Sequence, residues 1–363
     1  MNKSIPNRSE HEKIKYLLDS HIAKHDIPGI QYIVMDSSQK IFEYIGGWAD
    51  IANQKSMQAD TTMMAYSQTK TITAAAILQL FEKGKLNLDN SLSEYVSYNP
   101  YGTAIKIRHL LSQTSGIPNP IPLKWVHMAE KHGEFNEDLA FSMVLGKNPK
   151  LLFEPGSRNS YSNIAYWFLG KIIEKVSGQT YSSYVKEHIL KPLKILENEM
   201  DCSIPDINHH AKGYLKKYSI YNLIKGFLLK KEMIGKYEGK WLHLKSIYLN
   251  GPAFGGLVGT ANSFRKFLQD QLKNESSLFS EKTKLLYYTQ QKTNAGELVE
   301  MTLGWHIGNL DGTTYFFKEG GGGGFHSEMR LYPEHKIASI IMVNKTLFNS
   351  NEFQSAIDRE FLN

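Results

Sequence analysis

The chain has a single cysteine, Cys202, which excludes an intramolecular disulfide and any cysteine-based metal cluster. It has no run of 18 apolar residues, so no stretch reads as a membrane span. Its start, Met1 to Arg8 followed by Ser9-Glu10-His11-Glu12-Lys13, lacks the apolar core of a signal peptide, which leads us to expect a cytoplasmic protein as the sequence is written. A leader already trimmed would look the same. No G-x-S-x-G elbow occurs, which disfavours an α/β-hydrolase. The thirteen histidines include no H-E-x-x-H helix, and the neighbours His209 and His210 cannot face one metal in the usual way, so no metal is expected. With no C2H2 spacing, RNP-like signature or basic arm, nucleic acid is not expected as a partner.

What is present describes an ordinary globular protein: 363 residues, 41% hydrophobic, 21% charged, with a net charge of +6. That length predicts two lobes. The excess positive charge gathers between Lys212 and Lys245, where lysines heavily outnumber Glu232 and Glu238. The same region, about 214–249, is interleaved with Tyr218, Tyr221, Phe227, Tyr237, Trp241 and Tyr248. Two uses fit: a peripheral contact with an acidic membrane surface, or a solvated insertion whose apolar residues cover a substrate cleft or the core. The second is preferred.

The stretch that organises the chain is Tyr66-Ser67-Gln68-Thr69-Lys70-Thr71 at the head of the apolar run Ile72–Phe81. Three residues apart on a helix, Ser67 and Lys70 leave the same face about one turn apart. A poorly solvated lysine can activate a serine hydroxyl, whereas a solvated lysine beside a capping serine does nothing. Farther on, Phe153-Glu154-Pro155-Gly156-Ser157-Arg158-Asn159-Ser160-Tyr161-Ser162-Asn163 is a loop delivering a tyrosine and an asparagine to the start of a buried helix, with Ser162 or Asn163 as its cap. Strand patterns occupy Gly29–Met35, Ile41–Gly47, Thr302–Ile307, Thr314–Phe317, Phe325–Tyr332 and Ile337–Val343. An amphipathic helix is expected at about 10–24, and further helices from near Asn262 and at about 352–361. Strands at both ends with helices between predict an α+β fold: an antiparallel sheet of about five strands formed by both termini, flanked by helices, with an inserted, mainly helical lobe. We expect one catalytic domain over 1–363, with 1–75 and 250–363 as the α/β lobe and 76–249 as the helical lobe.

Three elements stand in order: Ser67-x-x-Lys70, Tyr161-Ser162-Asn163, and Lys318-Glu319-Gly320 with its glycine run to Gly324. Together they resemble the serine β-lactamase and penicillin-binding protein family, and the tyrosine of the second motif points to its class C branch, shared with D-stereospecific peptidases and β-lactamase-like esterases. The resemblance implies Ser67 as acylated nucleophile, Lys70 and Tyr161 as the pair that moves its proton with either as the base, and Asn163 holding Lys70 and substrate. It implies Lys318 acting on Tyr161 through its charge, and an oxyanion hole from the backbone N–H groups of Ser67 and Gly321. No cofactor is implied.

Glu319 departs from the family's threonine or serine. An ionised glutamate there would repel a substrate carboxylate unless it turns away or pairs with Lys318 or Arg330. The expectation is therefore a serine hydrolase acting on small or peptide-like esters or amides. The alternatives are a D-alanyl peptidase or β-lactamase, and a binding or sensor protein that has lost turnover. A phenol beside an ammonium group is expected to have a lowered pKa. The glycine run lacks dinucleotide or P-loop spacing and reads as backbone beside the oxyanion hole.

Overall fold

The computed structural model describes residues 6–120 and 125–362; the first five residues, and the side chains of Phe227 and Leu228, lie outside what it describes. A seven-stranded sheet runs in the order His306–Leu310, Thr313–Gly321, His326–Tyr332, Ile337–Val343, Gly29–Met35, Lys40–Asp50 and Lys55–Ser56. Neighbours are antiparallel throughout. Five strands have seven residues or more, and the two short ones lie at the edges. The N-terminal strand sits against the last, with Tyr32 opposite Ile341 and Ile33 opposite Ile340. Both termini therefore build one sheet.

The three central strands are buried along their whole length, because both faces of the sheet are covered. Alternation sorts their side chains. Ile30, Tyr32 and Val34 pack with Ile14, Leu18, Phe353 and Ile357 of the terminal helices Arg8–His25 and Ser350–Leu362. Ile33, Met35 and Ile340 face the other way, into a larger core with Phe264, Phe267 and the helices Thr69–Glu82 and Asn163–Ser177. The first helix starts on a capping box: Asn7 accepts from the Glu10 backbone N–H at 3.1 Å and the Glu10 carboxylate accepts from the Asn7 N–H at 2.8 Å. Such caps contribute about 0.5–2 kcal/mol. The helix Thr69–Glu82 is buried nearly all round, as its apolar composition requires.

Two elements differ from the sequence reading in an instructive way. The strand expected from Thr302 begins only at His306. Gly304 turns at φ +119°, and a Cβ there would come within 2.7 Å of that of Ala74, so the chain bends over the nucleophile helix before pairing. The basic insertion, expected inside a mainly helical lobe, combines the short helices Ile220–Leu223 and Lys225–Leu228 with strands, of which Gly213–Lys216, Trp241–Leu244 and Ile234–Glu238 form a small sheet. Ile247–Leu249 pairs with Val126–Met128. Gly239, at φ +61°, makes the hairpin between two of these strands. Among the described residues, no helix is long and apolar enough to cross a membrane, and no group of three or more histidine, cysteine, aspartate or glutamate side chains is placed to hold a metal ion.

Candidate active site

Ser67 sits in a single 3-10 turn, Tyr66–Gln68, that leads into the helix from Thr69. The turn is strained. Tyr66 adopts φ +48°, a left-handed conformation that costs a non-glycine residue about 1–3 kcal/mol. It is held by its side chain, whose hydroxyl donates to the carbonyl of Gly323 at 2.7 Å. The glycine run supplies the matching surface. A Cβ on Gly320 would lie 2.0 Å from the Ala65 carbonyl oxygen and 3.0 Å from the Ser67 nitrogen, and one on Gly322 would strike the Tyr66 ring. The strand can approach the serine turn only because those side chains are missing.

The motif residues converge. Ser67 Oγ lies 2.7 Å from Tyr161 Oη and 3.1 Å from Lys70 Nζ. Lys70 is fully buried and donates to Asn163 Oδ1 at 2.8 Å and to the Phe254 carbonyl at 2.5 Å. Ser162, not Asn163, caps the helix Asn163–Ser177, accepting from the Ala165 N–H at 3.1 Å. That frees Asn163, whose amide donates to Asn119 Oδ1 at 3.1 Å and so turns its own oxygen toward Lys70. Lys318, buried on the strand Thr313–Gly321, lies with Nζ 5.1 Å from the Tyr161 ring centre. Its hydrogen bond goes to His306 Nε2 at 3.2 Å. Gly321 ends that strand opposite His326 and lines the same cavity as Ser67.

Burial dominates the electrostatics. Lys70 is pushed well below the usual lysine value by desolvation and then by the neighbouring charge of Lys318. Lys318 is lowered by burial to about 7, with Glu319 pulling the other way. His306 is held neutral, its pKa lowered to about 2 by burial and the two lysines. With Lys318 as donor, Nε2 accepts and the ring proton sits on Nδ1. Tyr161 does not follow the sequence expectation: its phenol is raised, first because burial penalises the phenolate, which the Ser67 hydrogen bond only partly offsets, and then by the charge of Glu319.

Glu319 takes neither Lys318 nor Arg330 as its partner. It bonds His326 Nε2 at 2.7 Å, and that hydrogen bond, ahead of nearby positive charges, holds its carboxyl below the usual range. Arg330 is committed to Glu328, at 2.6 Å. Three contributors carried no sequence signal: His306 is a lone histidine, the Phe254 carbonyl is backbone, and Tyr66 declares itself only through its φ. Asn119, directly after Pro118, is marked only by its place in a loop.

Chemically, the arrangement offers a serine between a buried amine and a protonated phenol. A neutral amine has two N–H donors and one lone pair. As an ammonium, Lys70 donates to Ser67 Oγ as well as to Asn163 and Phe254; in the neutral form those two take both its donors and the lone pair is left toward Ser67 Oγ.

This fold and constellation define the serine hydrolases built on a β-lactamase or transpeptidase framework. A model of the Beta-lactamase family matches residues 14–360, and the chain belongs to that family. Among curated relatives it is 25% identical to "Penicillin-binding protein 4*" of Bacillus subtilis (strain 168), over 97% of this chain and 74% of that protein. It is 30% identical to "Protein flp" of Staphylococcus aureus (strain MW2) over 56% of this chain, but spans only 41% of that relative. The D-amino acid amidase of Ochrobactrum anthropi SV3, solved with L-phenylalanine amide, superposes with a TM-score of 0.81 at 18% identity, covering 97% of this chain and 98% of the amidase. At that identity the likeness is one of fold.

Proposed function

We propose that this protein is a serine hydrolase that cleaves esters or amides through an acyl-enzyme on Ser67. The observation that carries the reading is the placement of Ser67 Oγ within hydrogen-bond reach of both Lys70 Nζ and Tyr161 Oη. In its neutral form, which the lowered pKa favours, Lys70 takes the serine proton as Oγ bonds to the acyl carbon. The N–H groups of Ser67 and Gly321 hold the oxyanion, donors worth about 3 kcal/mol each in comparable sites. As the bond to the leaving group breaks, Tyr161 gives that group its proton, and the resulting phenolate is favoured by the ammonium of Lys70 and by Lys318.

Water then attacks the acyl carbon and returns a proton to Tyr161. Lys70 returns the serine's proton as Oγ leaves. The sum is one water consumed and one acid and one alcohol or amine released. Asn163 keeps Lys70 aimed. Glu319, ionised on its His326 partner, lies close enough to Tyr161 to act on it through charge, which favours neutral substrates over those carrying a carboxylate.

The test is hydrolysis of a chromogenic short-chain ester by the wild type and by Ser67→Ala. Activity that vanishes with the substitution supports the reading. Wild-type turnover no faster than the variant's, across several esters and amides, sinks it and leaves a binding protein on the same fold.

A further inference from the structure

A cavity of about 250 Å³ opens directly on Ser67. Asn163 and the backbone of Gly321 to Gly323 form one side, with Tyr66. The other wall is apolar: Val126, Leu229, Met233, Ile247, Leu249 and Phe254. Four of these six are buried, and Val126, Met233 and Ile247 form a separate small core with Met128. That core has its own construction. The strand Ile247–Leu249 pairs with Val126–Met128, the turn Lys231–Met233 brings in its methionine, and Lys230 ties the insertion to the wall by donating from Nζ to the Val126 carbonyl at 2.6 Å. The most basic part of the chain thus spends one lysine on backbone while presenting apolar side chains to the serine. Among the described residues, no charged side chain lines the cavity.

The direction of the cavity assigns its occupant. Tyr161, which would protonate the leaving group, is not among the lining residues, and neither are Lys318 and His306. They lie together beside the serine, with Lys318 over the Tyr161 ring and His306 stacked 6.4 Å from it. A leaving group must meet Tyr161, so the half of the substrate that stays on Ser67 is the half that enters the cavity.

We propose that this cavity is an acyl-binding pocket, walled by the insertion, that selects uncharged, apolar acyl groups of medium length, short enough to fit within about 250 Å³. Selection of acyl length rests on the acyl-enzyme reading given above; the preference of the pocket for an apolar chain does not. Each methylene transferred from water to such a wall strengthens binding by up to about fourfold.

The experiment has two arms. In the first, kcat/KM is measured on 4-nitrophenyl acetate, butanoate, octanoate and dodecanoate. The expected profile rises about two- to fourfold per methylene to octanoate and falls at dodecanoate. Leu229→Trp and Met233→Trp, which fill the pocket from two different places, lower the octanoate-to-acetate ratio at least tenfold, whereas Leu223→Ser on the exposed side of the insertion leaves that ratio unchanged. In the second, Ser67→Ala is titrated with octanoyl and acetyl 4-nitroanilide, and the octanoyl compound binds at least 30-fold tighter. A flat ester profile, or equal binding of the two anilides, overturns the pocket assignment while leaving the hydrolase reading intact. Tight octanoyl binding by a protein that hydrolyses no ester supports the apolar pocket and overturns the hydrolase reading instead.

Discussion

Two clusters of buried charge lie on the same sheet, and they are built in opposite ways. Arg330, with its side chain wholly enclosed, meets the carboxylates of Glu328 at 2.6 Å and Asp358 at 3.8 Å, with Ser355 at 2.9 Å. Burial lowers the guanidinium's pKa, but the two carboxylates more than reverse it, so the net shift is upward. Glu328 and Asp358 are themselves raised by burial and pulled back by Arg330. Tyr32 and Tyr332 bond the same aspartate at 2.6 Å each, which fastens the C-terminal helix to the sheet. At the serine, Lys70 and Lys318 are as deeply enclosed, yet they have carbonyl, hydroxyl and imidazole partners and no carboxylate in ion-pair range among the described residues. Both are lowered. A buried charge with counter-charges holds the fold, whereas a buried amine without them releases its proton more readily, which is the property the proposed reaction uses.

The largest expected effect breaks the second cluster. Lys70→Met should lower kcat about 10²- to 10⁴-fold, the range for loss of a positioned base, while the thermal midpoint holds or rises because a desolvated amine has gone. A midpoint that collapses with activity would make Lys70 a structural residue. Next comes Arg330→Met, which strands two buried carboxyls and should cost about 3–5 kcal/mol in urea unfolding. Its remaining folded fraction should still react at Ser67. A loss under 1 kcal/mol would erase the contrast.

Lys318→Met sharpens it through pH. Folded Lys318 releases its proton near pH 7, whereas an unfolded lysine holds it to about 10.5, so between those values the unfolded chain binds more protons and stability rises with pH. The substitution removes that slope. Its stabilising effect should be greatest below pH 7 and fade towards pH 10.5, and a pH-independent difference in midpoint would contradict the assignment. The smallest effect is at Glu319, which is half exposed and screened. Glu319→Thr should raise penicillin acylation by about tenfold or less, without raising neutral-ester turnover. Equal acylation of the two proteins would remove the repulsion from the account.

The sheet was legible because its strands alternate or run wholly apolar and its termini mirror each other, as Gly29–Met35 and Ile337–Val343 do. Ser67, Lys70, Tyr161, Asn163 and Lys318 were legible because their chemistry repeats a spaced pattern, and the structure gathers all five. His306 and the Phe254 carbonyl were not, since neither belongs to a recognised motif: His306 reaches Lys318 from the neighbouring strand of a hairpin, and Phe254 reaches Lys70 from a distant segment. The Tyr161 shift was misread because a sequence names neighbouring charges but does not report how much water they keep. The insertion's composition favoured apolar residues covering a cleft or the core, but which residues do so was not legible: the pairing with Val126–Met128 brings in Ile247, and Met233 joins the same small core.

The central claim is that a lysine deprived of counter-charge activates Ser67. Its most direct test is intact-protein mass after brief exposure to an alkyl fluorophosphonate, followed as a rate against pH in the wild type, Ser67→Ala and Lys70→Met. The account predicts one phosphonyl adduct on wild type, none on Ser67→Ala, and a rate that climbs with pH to half its maximum well below 10.5, with Lys70→Met slower by at least 100-fold. An adduct that forms equally fast without Lys70, or no adduct at any pH, would contradict it.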